Sequence, residues 1–315
     1  MLQGLRSFDA ETDLLAVLDL IALGFEGELD PKGQKALAEM RQMATPSAFG
    51  SQVSRGTSAS EVGFVWVEDG RIAGNLSLRH ALPHSSGGRL IGNVVVHPEY
   101  RGRGIARALM TAAVDAARQR GARWVGLEVR ADNATACTLY EHLGFVVVGR
   151  TFHLLRPQGA PWPAYPQPRE IWRRSRPKDS SLWLAMAEVI HEYNQRKVVE
   201  VARSAFVFGS LDRVLDIWLS RQREQAWLCD RGEHQMAVRV RTDLGYHFHV
   251  WDILVHPADR ETYFTESVAK ALQLTRRYRP WSTIAVIPDQ PLLVGALEDV
   301  GFRLHRTLLQ MILDL

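Results

Sequence analysis

The chain has 315 residues, 46% of them hydrophobic, enough for one large domain or two of ordinary size. Its formal net charge of +3 is too mild for a nucleic-acid binder, which shows a concentrated basic face. No run approaches the ~18 apolar residues of a membrane helix, MLQGLRSFDAETD has no signal-peptide core, and Cys137 and Cys229 have no metal or redox spacing; a cytoplasmic protein with neither nucleic acid nor membrane as partner is expected.

In chain order, LQGLRSF reads as a short strand, and Asp9 then introduces an amphipathic helix, ETDLLAVLDLIALGF. Glu26, Glu28 and Asp30 follow, and then the small, polar run TPSAFGSQVSRGTSAS. Those three acids either attract a cationic amine or form a solvated loop. EVGFVWVEDGRIAGNLSLR reads as a hairpin turned at Asp69-Gly70. NVVVHP is a strand running into a turn, Arg101–Ala106 a basic glycine-punctuated loop, RALMTAAVDAARQR a helix, and WVGLEVR a further strand. YEHLGFVVVGRTFHLL closes this half. Five of the 14 prolines then fall within RPQGAPWPAYPQPRE, residues 156–170, which reads as a linker.

The second half repeats the pattern. EIWRRSRP, Asp179 and SSLWLAMAEVIHEY match the opening strand, acid and helix, and QAWLCDRGEHQMAVRVR is a hairpin turning near Gly232. WDILVHP, a helix, STIAVIP and LEDVGFRLHRTLLQMILDL complete it. His97-Pro98 and His256-Pro257, and Gly144-Phe145 and Gly301-Phe302, recur at nearly the same offset, as a duplicated domain requires.

The loop Arg101–Ala106 lies between a strand and a helix whose first N–H groups have no internal partner and whose dipole makes that end positive. Gly102 and Gly104 let the backbone approach closely, so the loop suits a phosphate or pyrophosphate. It has neither the GK[ST] of a Walker loop nor the spacing of a dinucleotide fingerprint. Taken alone, it is equally a tight turn with solvated arginines.

The arrangement Arg101-x-x-Gly104-x-Ala106 after VVVHP resembles the acetyl-CoA loop of the GNAT superfamily, the GCN5-related N-acetyltransferases. Downstream, LEVRADNATA followed by Leu139-Tyr140-Glu141 and Gly144-Phe145 resembles that family's second signature, in wording closest to the ribosomal-protein alanine N-acetyltransferases. The strong resemblance covers about residues 60–155. It implies an α/β (α+β) fold of two tandem GNAT-like domains, each a mixed, mostly antiparallel splayed sheet flanked by helices. The expected boundaries are 1–155 for the domain with the intact motif, 156–170 for the linker and 171–315 for a degenerate domain.

The resemblance also implies roles. Val94, Val95 and Val96 offer backbone groups to the pantetheine arm of acetyl-CoA, like an added strand. Arg101, Gly102, Arg103, Gly104, Ile105 and Ala106 cradle its pyrophosphate. Asn133 bonds the pantetheine, caps a helix, or does both. Tyr140 is the general acid for the thiolate; its alternative is a half-buried structural tyrosine. Glu128 is the base if burial raises its pKa; otherwise it is a strand carboxylate paired with Arg130, and ordered water takes the proton. Cys137, with no His or Asp beside it, reads as packing. No metal is expected.

In the second half no glycine stands in the loop after Val255-His256-Pro257, and Asp259, Glu261 and Glu266 place negative charge where a pyrophosphate would sit. Asp289 or Gln290 stands near the asparagine position and Leu297 near the tyrosine. This half is expected to keep the fold without binding acetyl-CoA. Two-domain relatives such as the mycothiol synthases use their C-terminal half for chemistry, which this pattern does not favour. His247 and His249 share a strand face with Trp251, as core histidines or as a metal pair lacking a third ligand. The expectation is an N-acetyltransferase acting by direct attack of a small-molecule or peptide amine in a ternary complex. The rival is a non-catalytic CoA-binding scaffold of the same fold. The acceptor and the oligomeric state stay open.

Overall fold

The computed structural model describes residues 4–43, 62–82, 86–201, 206–208, 221–231, 234–256, 259 and 261–315. The polar run at 45–60 and the turn at Gly232 lie outside the described residues. The chain forms two compact units. One comprises residues 1–129, 133–147 and 311–315, the other 130–132 and 148–310.

In the first unit, β1 (Gly4–Ser7) pairs antiparallel with β2 (Val62–Glu68), β2 with β3 (Arg71–His80), and β3 with β4 (Gly88–Val96). β5 (Trp124–Arg130) joins β4 in parallel. The expected hairpin turn appears at Asp69 and Gly70, both with positive φ, as a two-residue turn of this hand requires. Helix α1 (Ala10–Gly24) is capped by Asp9, whose side chain accepts from the Glu11 amide at 2.9 Å. Its apolar stripe, Val17, Leu20 and Ile21, packs with Val65, Val67 and Val95 in one buried cluster. Gly24 ends the helix against β4, where a Cβ would collide with Val95. Helix α2 (Pro31–Met43) follows. Helix α3 (Ile105–Gln119) buries Ile105, Leu109 and Met110. Gly74 of β3 faces Ile105 and Leu109, and its ladder partner is Val96. Side chains alternate along a strand, so α1 covers the Val95 face and α3 the Val96 face. Helix α4 (Ala134–His142) completes the series.

The second unit repeats this order. β7 (Arg173–Arg174), β8 (Gln222–Arg231), β9 (His234–Asp243) and β10 (Phe248–Val255) pair antiparallel in sequence, and β11 (Ser282–Pro288) joins β10 in parallel. Helices α5 (Ser180–Ile190), α6 (Tyr193–Val198), α7 (Glu261–Thr275) and α8 (Pro291–Glu298) accompany them. The duplication extends to side chains. Arg6 grips Asp13 with two bonds of 2.6 and 2.7 Å, and Arg173 grips Asp179 at 2.7 and 2.8 Å. Each carboxylate also accepts a backbone amide, from Asp9 and Arg176 respectively. The arginine hydrogen bonds hold both carboxyls below the ordinary carboxylate range.

The division does not fall at the proline-rich stretch. From Val148 onward, β6 (Val146–Arg156) belongs with the second unit, where Thr151–Arg156 pair antiparallel with β11. Residues 157–170 pack there too: the indole of Trp162 donates to the Tyr278 carbonyl at 3.3 Å, and the Arg169 and Glu170 amides donate to Glu266 at 3.0 Å. The end of β12 (Arg303–Asp314), from Met311 on, belongs with the first unit, and the Leu315 amide donates to the Arg123 carbonyl at 3.0 Å. The units differ from bounds of 1–155 and 171–315 at both ends: residues 148–155 fall in the second unit, and Met311–Leu315 fall in the first. The repeat pattern reveals that each unit needs a last strand but not which copy of the chain's two supplies it.

Candidate functional site

The motif-bearing strands of the first unit part company. β4 and β5 are paired from Gly88↔Trp124 only as far as Ile91↔Leu127. β4 stays paired with β3 to Gly74↔Val96, but through a bulge, since Asn75 faces Val95 while Ser77 faces Gly92. Asn93 sits in the bulge with φ 52°. The Asn75 side chain donates to the Asn93 carbonyl at 3.0 Å, Ser77 Oγ donates to Gly92 at 3.0 Å, and Asn93 Nδ2 donates to Ser77 Oγ at 3.3 Å. A bulge bends its strand, and here the bend falls where the pairing with β5 stops. Val94, Val95 and Val96 lie beyond it, with Val95 buried and the other two half-buried. Sequence reasoning missed Asn75, Ser77 and Asn93. Their one signal is amide and hydroxyl side chains inside otherwise apolar strands.

The loop follows directly. Gly102 and Gly104 have φ of 77° and 80°, and both face open space on the Cβ side. Gly104 is the N-cap of α3, with no side-chain cap, and the helix's first internal bond is Ala108 N–H to Gly104 C=O at 3.0 Å. The amides of Ile105, Ala106 and Arg107 precede that bond, so the helix itself gives them no acceptor. Arg101, Gly102, Arg103 and Gly104 are exposed, Ile105 is buried and Ala106 half-buried.

Asn133 caps α4, its side chain accepting from the Ala136 amide at 3.1 Å. Tyr140 is 6% exposed, with its ring 6.1 Å from Phe145. Burial, with a smaller contribution from Cys137, pushes its hydroxyl up to about 12. Glu128 follows the last paired residue of β5 and is exposed, so the burial expected of a base is absent. Arg130 is held by Asp132, at 2.8 and 2.6 Å. Of the three acids near 26–30, Asp30 is buried and accepts from the Gly33 amide of α2 at 2.8 Å, which commits it to the helix end.

The corresponding region of the second unit is built differently. β10 and β11 also pair over four residues, from Phe248↔Ser282 to Trp251↔Ala285. The ladder of β10 with β9 runs from Phe248 to Val255 without a bulge. Gln290, at the position matching Asn133, is buried and donates to the Val255 carbonyl at 2.9 Å. Asp259 is buried just ahead of α7, which has Glu261 in its first turn.

His249 is fully buried, with its Nδ1 3.0 Å from Thr242 Oγ1 and its ring stacked on Trp281 at 5.5 Å. His247 packs on the same Trp281 at 4.7 Å. Both are packing histidines, and no group of metal-ligating side chains occurs among the described residues. Burial lowers the His249 pKa to about 4. Because this lies below the ordinary value of about 6.5, the unfolded chain takes the proton first, and stability falls as pH drops from 6.5 toward 4. The expected loss is about 2 kcal/mol at pH 5. Denaturant titrations at pH 7 and 5 measure it, and His249→Gln flattens the dependence; equal slopes in both proteins exclude His249 as its source.

Residues 33–145 match the Acetyltransferase (GNAT) family. A mycothiol acetyltransferase of Saccharomonospora viridis is 33% identical over 149 residues, 46% of this chain and 46% of that protein. A ribosomal-protein-alanine N-acetyltransferase of Escherichia coli is 47% identical over 53 residues, 17% of this chain and 36% of that one. The matches span less than half the length of either relative. A solved tandem GNAT protein from the clavulanic acid biosynthesis pathway shares the fold over 98% of both chains, with a TM-score of 0.61 at 16% identity. No described helix is long and apolar enough to cross a membrane.

Proposed function

We propose that the chain, whose residues 33–145 match the Acetyltransferase (GNAT) family, is an N-acetyltransferase of tandem GNAT form whose first half does the chemistry. It moves acetyl from acetyl-CoA to a primary amine, on a small molecule or a peptide, by direct attack in a ternary complex. The observation carrying this reading is the contrast between the halves. The first has a bulged β4, a parted β4–β5 pair and an uncapped, glycine-flanked α3. In the second, the bulge is missing, Gln290 occupies the Val255 carbonyl, and a buried carboxylate, Asp259, stands just ahead of α7.

The backbone from Arg101 to Ala106 holds the pyrophosphate, and Val94–Val96 hold the pantetheine through backbone groups. A β4 amide polarises the thioester carbonyl. The acceptor reaches the site as an ammonium and loses a proton to ordered water, since Glu128 is exposed and lacks the burial a base there would need. Its nitrogen then bonds to the carbonyl carbon, the C–S bond breaks, Tyr140 gives its proton to the sulfur, and the second proton shed by the new amide nitrogen restores the Tyr140 hydroxyl. With a pKa near 12, Tyr140 keeps that proton across the whole neutral and mildly alkaline range. Asn133 orients the start of the helix that carries it. The curated relatives, one named for mycothiol and one for a ribosomal-protein alanine, leave both small-molecule and peptide acceptors open.

Isothermal titration with acetyl-CoA tests the reading. One site per chain is expected. Gly104→Ala meets no steric obstacle but puts a Cβ at φ 80°, which costs about 1–2 kcal/mol and weakens binding about tenfold. Two sites per chain would restore the second half as a cofactor domain, and no binding would remove the acetyl-CoA reading altogether.

A further inference from the structure

The second unit buries a positive charge that no ion pair neutralises. Lys270 of α7 is 6% exposed. Its ammonium lies 3.8 Å from the Trp227 ring centre and 6.0 Å from that of Trp172, and it donates to Gln273 Oε1 at 2.9 Å. It makes no ion pair among the described residues. The acid that acts on it, Glu266, is occupied elsewhere: Oε2 accepts from the Arg169 amide, and Oε1 from the Glu170 amide and the Trp172 indole, each at 3.0 Å. Burial lowers the pKa of Lys270, and Glu266 opposes this only in part. A lysine is almost never so buried without a partner.

Two orphaned donors lie on the strand that faces it. Gln225 and Trp227 are two apart on β8, so their side chains share a face. Their ladder partners, Val240 and Val238, belong to the buried cluster that Phe264, Val268 and Ala271 of α7 complete. Gln225 is 9% exposed, and its Nε2 is buried with no hydrogen-bond partner among the described residues. The Trp227 indole N–H has none either. A buried donor without an acceptor is destabilising and rare. Two of them occur beside an unpaired cation, and all three lack the same thing, an acceptor that carries negative charge. The fold does not require this arrangement: every buried residue of α3, the matching helix of the first unit, is apolar, whereas α7 buries Lys270.

We propose that the Lys270 ammonium, the Trp227 indole N–H and the Gln225 amide hold a small monovalent anion between β8 and α7. One such acceptor pairs the cation and satisfies both donors. Indole rings flank the ammonium, so the site suits a single small charge rather than a hydrated polyanion. Chloride and formate share this chemistry. The site lies wholly within the second unit and does not depend on the acyl-CoA reading of the first.

Calorimetry on the full chain tests it at a constant ionic strength of about 0.2 M, with sodium chloride or sodium formate replacing sodium gluconate, whose anion carries the same charge on a much larger body. The melting midpoint of the second unit is expected to rise and then saturate, by about 3–5 °C once the probe stands tenfold above its dissociation constant. Lys270→Met keeps an unbranched stem and loses the charge, and Trp227→Phe keeps a ring and loses the N–H. Both are expected to lose the saturable rise, whatever their own midpoints. Lys197→Gln, which removes the ammonium that α6 bonds to Asn194, is expected to keep it. A rise with formate alone assigns the site to carboxylates, and a rise with chloride as well assigns it to simple anions. The proposal is overturned if chloride, formate and gluconate give one midpoint in wild type, or if the saturable rise persists undiminished in Lys270→Met or in Trp227→Phe.

Discussion

Deleting Met311–Leu315 is expected to unfold the unit that carries the Arg101–Ala106 loop, although the cut removes only the last five residues of the chain. Those residues cluster with 1–129, not with the sequence that precedes them. Met311 is 0% exposed and Ile312 2% exposed. The Leu315 amide bonds to Arg123 beside β5, and Leu313 lies so close to Gly144 that a Cβ there would meet it at 3.3 Å. Losing one large buried side chain costs about 2–5 kcal/mol. Losing two, together with the backbone bonds of a strand end, approaches the 5–15 kcal/mol that holds a whole domain together. Calorimetry on the full chain and the truncated one measures this. The expected record is loss of the transition belonging to the first unit, with acetyl-CoA binding lost alongside it. A truncated protein that melts like the full chain and still binds would mean that the closing strand is dispensable.

That dependence could not be seen in the sequence. The pattern of residues gives strand, helix and turn identities because each follows from local chemistry: alternation in β2 and β3, Asp9 before α1, Asp69-Gly70 in the hairpin, glycines at 102 and 104. The family signatures are equally local, since Arg101, Gly104 and Ala106 lie within one loop and Asn133 and Tyr140 within one helix. Which stretch supplies the last residues of each unit is a choice between two similar apolar runs, VVVGRTFHLL and RLHRTLLQMILD, which alternation describes equally well. The bulge was hidden for a related reason. It depends on Asn75 finding the Asn93 carbonyl 18 residues away, a contact that no spacing rule encodes. Burial was also misjudged where strand pairing decides it. Glu128 shares a strand face with Trp124 and Gly126, both buried, so alternation would bury it; it is exposed just past Leu127, where the pairing of β5 with β4 stops.

Tyr140→Phe is expected to lower kcat by about 10²–10³-fold while leaving acetyl-CoA affinity unchanged. The substitution is a clean one. The ring stays packed on Phe145, and the hydroxyl has no hydrogen-bond partner among the described residues, so its removal breaks no structural contact. A general acid acts only when the C–S bond breaks, and removing it therefore affects turnover and not binding. The pH profile gives a second, independent readout. With its hydroxyl near 12, Tyr140 keeps its proton, and wild-type activity should show no alkaline fall attributable to it below about pH 10. An alkaline limb that appears well below that value and vanishes in Tyr140→Phe would mean that the hydroxyl ionises more easily when substrate is bound. Undiminished turnover in Tyr140→Phe would assign the leaving-group proton to water or to another side chain. Wild-type binding of acetyl-CoA with no turnover on a broad panel of amines would favour the non-catalytic reading of the same fold, in which Tyr140 is a packing residue beside Phe145.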